Sequence, residues 1–143
     1  MRTRAAIAVA ANDEWHFCWD AGPCRLRYVW KGDFIDGWPV WRGNGDAYAK
    51  VRGQVLLREK RTPLPVAADA KARFLGYRMK DGLPTFHYLL GRVKVSERIT
   101  PLLDGWGLKR RFELKDAPAG WKLTLTAAEK MMYTSEDGTF EGL

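Results

Sequence analysis

The chain has few of the residues on which most catalytic and metal sites depend. Its 143 residues include two cysteines, two histidines and two serines. Two cysteines are too few for a disulfide scaffold, and their spacing with the histidines fits neither a zinc finger nor a haem-attachment run. Neither Ser96 nor Ser135 lies in the Gly-x-Ser-x-Gly turn of serine hydrolases. We therefore predict a protein that is not an enzyme, with no metal and no cofactor.

Long apolar runs are also missing. None approaches the ~20 residues of a membrane-spanning helix, so no transmembrane segment is predicted. The segment Ala5–Ala11 follows a basic start and imitates a signal peptide, but it is short, and the polar run Asn12-Asp13-Glu14 follows at once. We predict that Ala5–Ala10 is the first strand. If the protein is exported, its leader is removed from this numbering or is carried by another chain.

Aromatic residues and positive charge are abundant instead. Aromatics make up 13% of the chain, with seven tryptophans, and the formal net charge is +7. The charge is spread evenly, so neither a basic tail nor an acidic arm is present. Hydrophobic residues at 46% and charged residues at 29% are typical of a globular domain.

Apolar residues alternate with polar ones along most of the chain, which is the pattern of half-buried strands. Two inward rows are predicted, Trp15/Phe17/Trp19 and Leu26/Tyr28/Trp30. The Pro-rich stretch 61–69 is predicted to cross between two sheets. A further short strand is expected at 121–126 and one helical turn at 127–132. The pattern predicts an all-β fold, an antiparallel β-sandwich of about 8–10 strands. We expect one domain over residues 1–143, with its core at about 5–126.

Two hairpins have a predicted register. The turn Asp81-Gly82 tolerates positive φ at both positions, and a two-residue loop there pairs Tyr77 with Phe86 and Leu75 with Tyr88. For the next pair of strands we predict four facing pairs, namely Ile99 with Leu108, Glu97 with Arg110, Val95 with Phe112, and Val93 with Leu114. Glu97 and Arg110 then occupy core-facing positions, where an ion pair is the simplest account of them.

The remaining reactive side chains are better explained as structural. Alternation sets Trp19 opposite Cys24 and turns Cys18 to the other face, which favours free thiols over a disulfide without excluding the bridge. His16 and His87 fall on the polar side of their strands, where solvated side chains are usual. Three carboxylates in a Gly-rich stretch can hold a cation but are also typical of turns, namely Asp33, Asp36 and Asp46.

The segment 31–50 places Trp38, Trp41 and Tyr48 among four glycines. Such aromatics can stack on sugar rings or anchor a protein partner when they are exposed. The alternative is that the tryptophans fold inward and cap the sandwich, and we slightly favour it because a small β domain fills its core with large aromatics.

A stripe of basic residues forms the second candidate surface. Lys109 and Arg111 are predicted to project to solvent from one strand, with Lys94, Arg92 and Arg98 nearby. Because no phosphate-binding or RNA-binding motif accompanies the stripe, we predict no nucleic-acid partner. An acidic protein face or lipid headgroups fit it better.

Several segments together resemble an uncharacterised bacterial β domain that accompanies c-type cytochrome modules in exported proteins. The likeness covers about Ala5 to Leu125 and is carried by Phe17-x-x-Asp20, Cys24-Arg25-Leu26-x-Tyr28-x-Trp30-x-Gly32-Asp33-Phe34, Trp41-Arg42-Gly43, Phe74-Leu75-Gly76-Tyr77-Arg78, Pro84-Thr85-Phe86-x-Tyr88 and Gly107-Leu108-x-Arg110. The resemblance implies a periplasmic or extracytoplasmic setting among electron-transfer proteins. It brings no catalytic residues, and this chain departs from the pattern because it carries no haem-binding run.

Our leading hypothesis is a non-catalytic accessory subunit on an extracytoplasmic electron-transfer assembly, bound to the membrane through its partners. Its partner would be a c-type cytochrome or a membrane electron-transfer complex, and a photosynthetic reaction centre is one such host. The alternative is a carbohydrate-binding module that uses Trp38, Trp41 and Tyr48. A small hydrolase built on acidic residues is a third hypothesis, and it requires two carboxylates that converge in one pocket.

Overall fold

Strands make up nearly all of the regular structure. The computed structural model describes residues 5–42, 48–67, 69–121, 123–125 and 140–142. In chain order the elements are β1 (Ala6–Ala10), β2 (Trp15–Asp20), β3 (Arg25–Asp36), α1 (Trp38–Arg42), β4 (Lys50–Arg58), β5 (Ala72–Lys80), β6 (Leu83–Leu90), β7 (Val93–Pro101), β8 (Leu108–Lys115), β9 (Leu123–Leu125) and β10 (Phe140–Gly142). The predicted first strand is confirmed, and the predicted turn at 127–132 lies outside the described residues.

Two four-stranded antiparallel sheets pack face to face, which confirms the predicted sandwich. The first sheet has the order β1-β2-β3-β4 and the second β5-β6-β7-β8, so each is a meander of sequential neighbours. Strands β9 and β10 pair in parallel as a separate two-stranded sheet. Trp19 of the first sheet stacks on Phe86 of the second with ring centroids 4.2 Å apart. The stretch 61–69 lies between β4 and β5 and therefore makes the crossing between sheets, as predicted.

The core lies between the sheets and is rich in aromatic side chains. The inward row Trp15, Phe17 and Trp19 is confirmed, and all three are buried there. From the second sheet, Phe86 and Tyr88 meet this row. Burial of each large apolar side chain contributes about 1.5–3 kcal/mol, so this aromatic layer is the main source of stability.

Strand β2 and Trp30 of β3 are also buried on the outer face of the first sheet, which the alternating pattern did not predict. A register shift at Cys18/Trp19 places Val29 opposite Phe17 and Trp30 opposite His16. Leu26 and Val29 therefore point into the core, whereas Tyr28 and Trp30 point away from it, so the predicted row is wrong beyond Leu26. His16 is buried rather than solvated, because the rings of Trp30 and Phe34 lie 5.5 and 5.3 Å from its own.

The hairpin of β5 and β6 forms at the predicted turn. Asp81 and Gly82 both have positive φ, and Tyr77 faces Phe86 as predicted. A bulge between Phe74 and Gly76 then brings Phe74, not Leu75, opposite Tyr88. The predicted Leu75 pairing is wrong because the extra residue reverses the alternation there, and Gly76 has the positive φ of 125° that few other residues adopt.

The pairing of β7 with β8 keeps the predicted faces but is displaced by two residues. Val95 faces Leu114, Glu97 faces Phe112, and Ile99 faces Arg110. The loop 102–107 explains the displacement, since it closes with a hydrogen bond from the Gly105 amide to the Leu102 carbonyl and uses positive φ at Gly105. A shift of two residues returns every side chain to its own face, which is why the pattern could not reveal it.

The turn between β2 and β3 differs from the expected one. Trp19 faces Leu26 and not Cys24, because Cys24 lies in the turn itself with a φ of 52°. Both cysteines are buried and free, so of the two alternatives the free thiols are confirmed.

Candidate partner-binding surface

A buried polar network joins the two sheets. The Arg110 guanidinium donates to Oε1 of Glu97 at 3.1 and 2.7 Å and to Oε1 of Glu59 at 2.6 Å. The other oxygen of Glu97 accepts hydrogen bonds from the Trp19 indole at 3.1 Å and the Tyr88 hydroxyl at 2.9 Å. The predicted ion pair of Glu97 and Arg110 is therefore present, although the two residues are diagonal neighbours and not directly opposite.

Burial and neighbouring charges shift the pKa values of three groups in this network. Burial opposes the charge of Arg110, yet Glu97 and Glu59 outweigh it and raise the pKa of the guanidinium. Burial also raises the pKa of Glu59, and burial with the neighbouring Glu97 raises that of Tyr88. Glu97 is 0% exposed. These two carboxylates do converge, as the hydrolase hypothesis requires, but inside the core where a substrate has no access.

The structure also describes two of the other candidate carboxylates and both thiols. Asp36 accepts a hydrogen bond from the backbone amide of Trp38 and so caps α1, Asp33 is exposed, and Asp46 lies outside the described residues. Burial raises the pKa of Cys18 to about 11 and that of Cys24 to about 12, so both thiols stay protonated at neutral pH. Within the described part of the chain, no group of three or more His, Cys, Asp or Glu side chains is placed to hold a metal ion.

The outer face of the second sheet is strongly basic. Cross-strand pairing aligns the outward positions of β5, β6, β7 and β8 in rows. These positions carry the residues that we call the basic face, namely Arg73, Arg78, Lys80, Lys94, Arg98, Lys109, Arg111 and Lys115. Glu113 is the one carboxylate at an outward position of these four described strands. Lys94, Lys109 and Arg111 are exposed, as predicted.

Like charges lie directly opposite each other on this face. Lys94 pairs with Lys115, and Arg98 pairs with Arg111. Arg98 is held by the carbonyls of Lys80 and Leu83 at 2.8 and 3.1 Å, which fixes its guanidinium across the β5–β6 hairpin. Directly opposed like charges destabilise a sheet, so folding alone does not account for this arrangement.

A surface pocket opens in the middle of the basic face. We call it the lysine pocket; its volume is about 370 Å³, and its lining includes Leu75, His87, Lys94, Ser96, Glu113 and Lys115. Here His87 Nδ1 lies 2.9 Å from the Ser96 hydroxyl. His87 lies on the outward side of β6, as predicted, but its pairing with Ser96 was not foreseen. The sequence could have revealed this pair, because the two-residue turn Gly91-Arg92 sets residue 87 opposite residue 96.

Three aromatic side chains from the segment 31–50 are exposed. The exposed fraction is 79% for Trp41, 54% for Trp38 and 44% for Tyr48. The slightly favoured expectation that the tryptophans fold inward is therefore wrong. The reason is local, because α1 follows the Asp36 cap as a short turn of five residues and buries none of its side chains. Arg42 covers one face of the Trp38 ring at 4.4 Å.

A fourth exposed aromatic, Trp106, was missed. It lies in the β7–β8 loop and is 82% exposed, and Leu103 beside it is fully exposed. The Trp15 indole, at the end of the first sheet that leads into α1, donates to the Gly105 carbonyl at 2.8 Å. The β3–β4 connection, which contains α1, and the β7–β8 loop thus lie at one end of the sandwich. We call it the aromatic end (Trp38, Trp41, Tyr48, Leu103 and Trp106). The sequence could have indicated this exposed residue, because Trp106 lies between two glycines.

Comparison with known proteins adds no relative. No protein-family model matches the chain, and no curated protein or solved structure matches it either. Among the described residues, no helix has the length and apolar character needed to cross a membrane. The basic face and the aromatic end are therefore the two candidate binding surfaces of this protein.

Proposed function

We propose that this protein is a non-catalytic accessory subunit that binds an acidic surface of a protein partner through its basic face. The observation that carries the proposal is the charge of that face, where Lys94 opposes Lys115 and Arg98 opposes Arg111 with Glu113 as the one outward carboxylate of the described strands. An acidic partner relieves this repulsion, so binding and the relief of strain favour the same complex.

The two surfaces supply different parts of such an interface. The basic face steers a partner of opposite charge and sets its orientation, and this effect weakens as salt is added. Exposed tryptophans are the side chains that most often dominate binding energy. Loop 102–107 joins β7 to β8, so Trp106 lies next to the basic face and provides an anchor at its edge.

We further propose that the partner belongs to an extracytoplasmic electron-transfer assembly. Support comes from the resemblance to the β domain that accompanies c-type cytochrome modules, and not from the fold. In this form of the proposal the protein lies in the periplasm and reaches the membrane through its partner. A c-type cytochrome, a membrane cytochrome complex or a photosynthetic reaction centre would be the host.

The test is capture of partners from detergent-solubilised membranes with the tagged full chain. We expect a complex that contains a haem protein and that dissociates as salt is raised. The double variant Lys94→Glu and Arg111→Glu reverses two charges of the basic face and is expected to lose the complex. Arg52→Glu is the control for a charge reversal outside the basic face, because Arg52 is an exposed basic residue of β4 in the other sheet. Recovery of a free monomer alone contradicts the proposal.

Two other outcomes of the same experiment are informative. If the complex contains no haem protein but still depends on Lys94 and Arg111, the accessory role stands and the electron-transfer host is wrong. If the basic face instead retains DNA or RNA with the same dependence on these residues, the protein partner is wrong, because phosphate backbones also recognise basic surfaces.

A carbohydrate-binding module is the second candidate, favoured by the exposure of Trp38 and Trp41. Their ring centroids are 6.4 Å apart at an interplanar angle of 81°, so the rings form a corner and not one flat platform. Such a corner suits a single sugar ring that stacks on Trp41. Isothermal titration against a glycan panel tests this function, with Trp41→Ala as the variant and Trp106→Ala as the control. No heat across the panel excludes it.

A further inference from the structure

We infer that the lysine pocket binds one oxyanion, a carboxylate or a phosphate group, between Lys94 and Lys115 and beside the His87–Ser96 pair. The inference rests on the proposed function, because it names the chemical group by which the basic face would recognise its partner. The charges, the polar atoms and the size of the pocket all favour such a ligand.

The charges come first. Lys94 and Lys115 are directly opposite each other on β7 and β8, and both are exposed. Neither has a carboxylate partner among the described residues. Glu113 lies between them and the arginines, and its ion pair is with Arg111 at 3.3 Å. The two lysines therefore line one opening whose one carboxylate, Glu113, is paired with Arg111, and an oxyanion bound there would be attracted by both lysines.

The polar atoms of the pocket also favour an anionic ligand. His87 Nδ1 contacts the Ser96 hydroxyl at 2.9 Å, while Nε2 is buried and has no hydrogen-bond partner among the described residues. In the tautomer with its hydrogen on Nδ1, the ring donates to the Ser96 oxygen and leaves the Ser96 hydroxyl hydrogen free for another acceptor. Because Nε2 is closed off from solvent, the Ser96 hydroxyl is the group of this pair that can donate to an acceptor atom in the pocket. Oxyanions supply such acceptors.

The size restricts the ligand. A volume of about 370 Å³ is at the small end of the range of roughly 300–1,000 Å³ for ligand pockets. It is large enough for one anionic group with a short attachment. Glu113 in the lining repels additional negative charge, which favours a single oxyanion over a polyanion.

The experiment is a titration of the isotope-labelled full chain followed by amide chemical shifts at constant ionic strength. One arm uses inorganic phosphate and the other uses glutarate, which carries the carboxylate group of an acidic side chain. We expect saturable shifts at residues 94–96 and 113–115. Lys94→Gln is expected to weaken binding about tenfold, since it removes one charge-assisted hydrogen bond.

Arg78→Gln is the matched control, because it removes the same charge from the basic face outside the pocket lining. It is expected to change the affinity less than twofold. Ser96→Ala is the second variant and tests the histidine pair without changing any charge. Shifts that never saturate, that spread evenly over the basic face, or that respond equally to Lys94→Gln and Arg78→Gln overturn the inference.

The two arms distinguish the sources of the anion. Saturable binding of glutarate identifies a carboxylate of a protein partner, whereas binding of phosphate alone identifies a phosphate ligand. Partner capture with Lys94→Gln separates this inference from the proposed function. A complex that survives while anion binding is lost shows that the partner docks elsewhere on the basic face. Anion binding that persists without any captured partner leaves the pocket intact and contradicts the accessory role.

Discussion

Replacement of Glu97 by glutamine tests the buried network that joins the two sheets. Oε1 of Glu97 accepts two hydrogen bonds from Arg110, and Oε2 accepts one each from Trp19 and Tyr88. Glu97→Gln preserves the volume of the side chain but removes its charge and exchanges one oxygen for a donor. The new amide group then faces either the guanidinium or the indole N–H, and both of these are donors.

The size of the expected loss in unfolding free energy depends on the partners that Arg110 keeps in Glu97→Gln. Removal of one member of a buried ion pair costs about 3–5 kcal/mol because the other charge stays buried. Glu59 still binds Arg110 at 2.6 Å, so the charge of Arg110 is not left alone. We therefore expect the lower end of the range, a loss of about 3 kcal/mol from a total unfolding free energy of roughly 5–15 kcal/mol.

Urea unfolding followed by tryptophan fluorescence measures this loss. The control is Glu113→Gln, which makes the same chemical change in the exposed pair with Arg111 and is expected to change the unfolding free energy by less than about 1 kcal/mol. The dependence on urea should keep the same slope in both variants. A loss below about 1 kcal/mol for Glu97→Gln, or equal losses for the two variants, refutes the role given to the network.

Four further predictions concern pH, thiols, backbone and salt. Burial raises the pKa of Glu59 above its ordinary value of 4.5. Glu59 therefore contributes fully to stability below pH 4.5, and this contribution is lost as the pH rises through the raised pKa. Glu59→Gln should remove this decline from urea midpoints measured between about pH 4 and pH 8. Cys18 and Cys24 should resist a thiol-exchange reagent at about pH 8 until the chain unfolds, because both are buried with raised pKa; fast reaction of the native protein contradicts this. Gly76→Ala should lower the unfolding free energy by about 1–3 kcal/mol because the φ of Gly76 is 125°, whereas Gly107→Ala, at a glycine without positive φ, should change it far less in the same thermal melts. Added salt should raise the urea midpoint by screening the basic face, and a midpoint independent of salt would show that its charges do not repel measurably.

Sequence patterns predicted which face of β6, β7 and β8 is buried, but not how β7 and β8 are aligned. Alternation has a period of two, so a register that is displaced by two residues has the same inward and outward rows. Glu97 and Arg110 were found on this basis, because both interrupt apolar rows and a charge there needs a partner. Their diagonal geometry, and the third member Glu59 on the segment after β4, depend on loop closure and on packing between sheets.

The two surfaces were predictable to different extents. Lys94, Lys109 and Arg111 were placed outward by alternation alone. The lysine pocket is lined by four strands, so it depends on several registers at once and no local pattern could reveal it. For Trp38 and Trp41 the residue type favoured burial, and the outcome was decided instead by a cap at Asp36 and the short α1 that follows it.

The fold pairs the charges of the buried network but leaves like charges opposed on the basic face. Inside the sandwich, both carboxylate oxygens of Glu97 have partners, and the opposing charge of Arg110 is held by two carboxylates. On the basic face the same chain sets Lys94 against Lys115 and Arg98 against Arg111. Directly opposed like charges destabilise a sheet, whereas clustered positive charge attracts anions. This arrangement is the reason why we propose an acidic partner for the basic face.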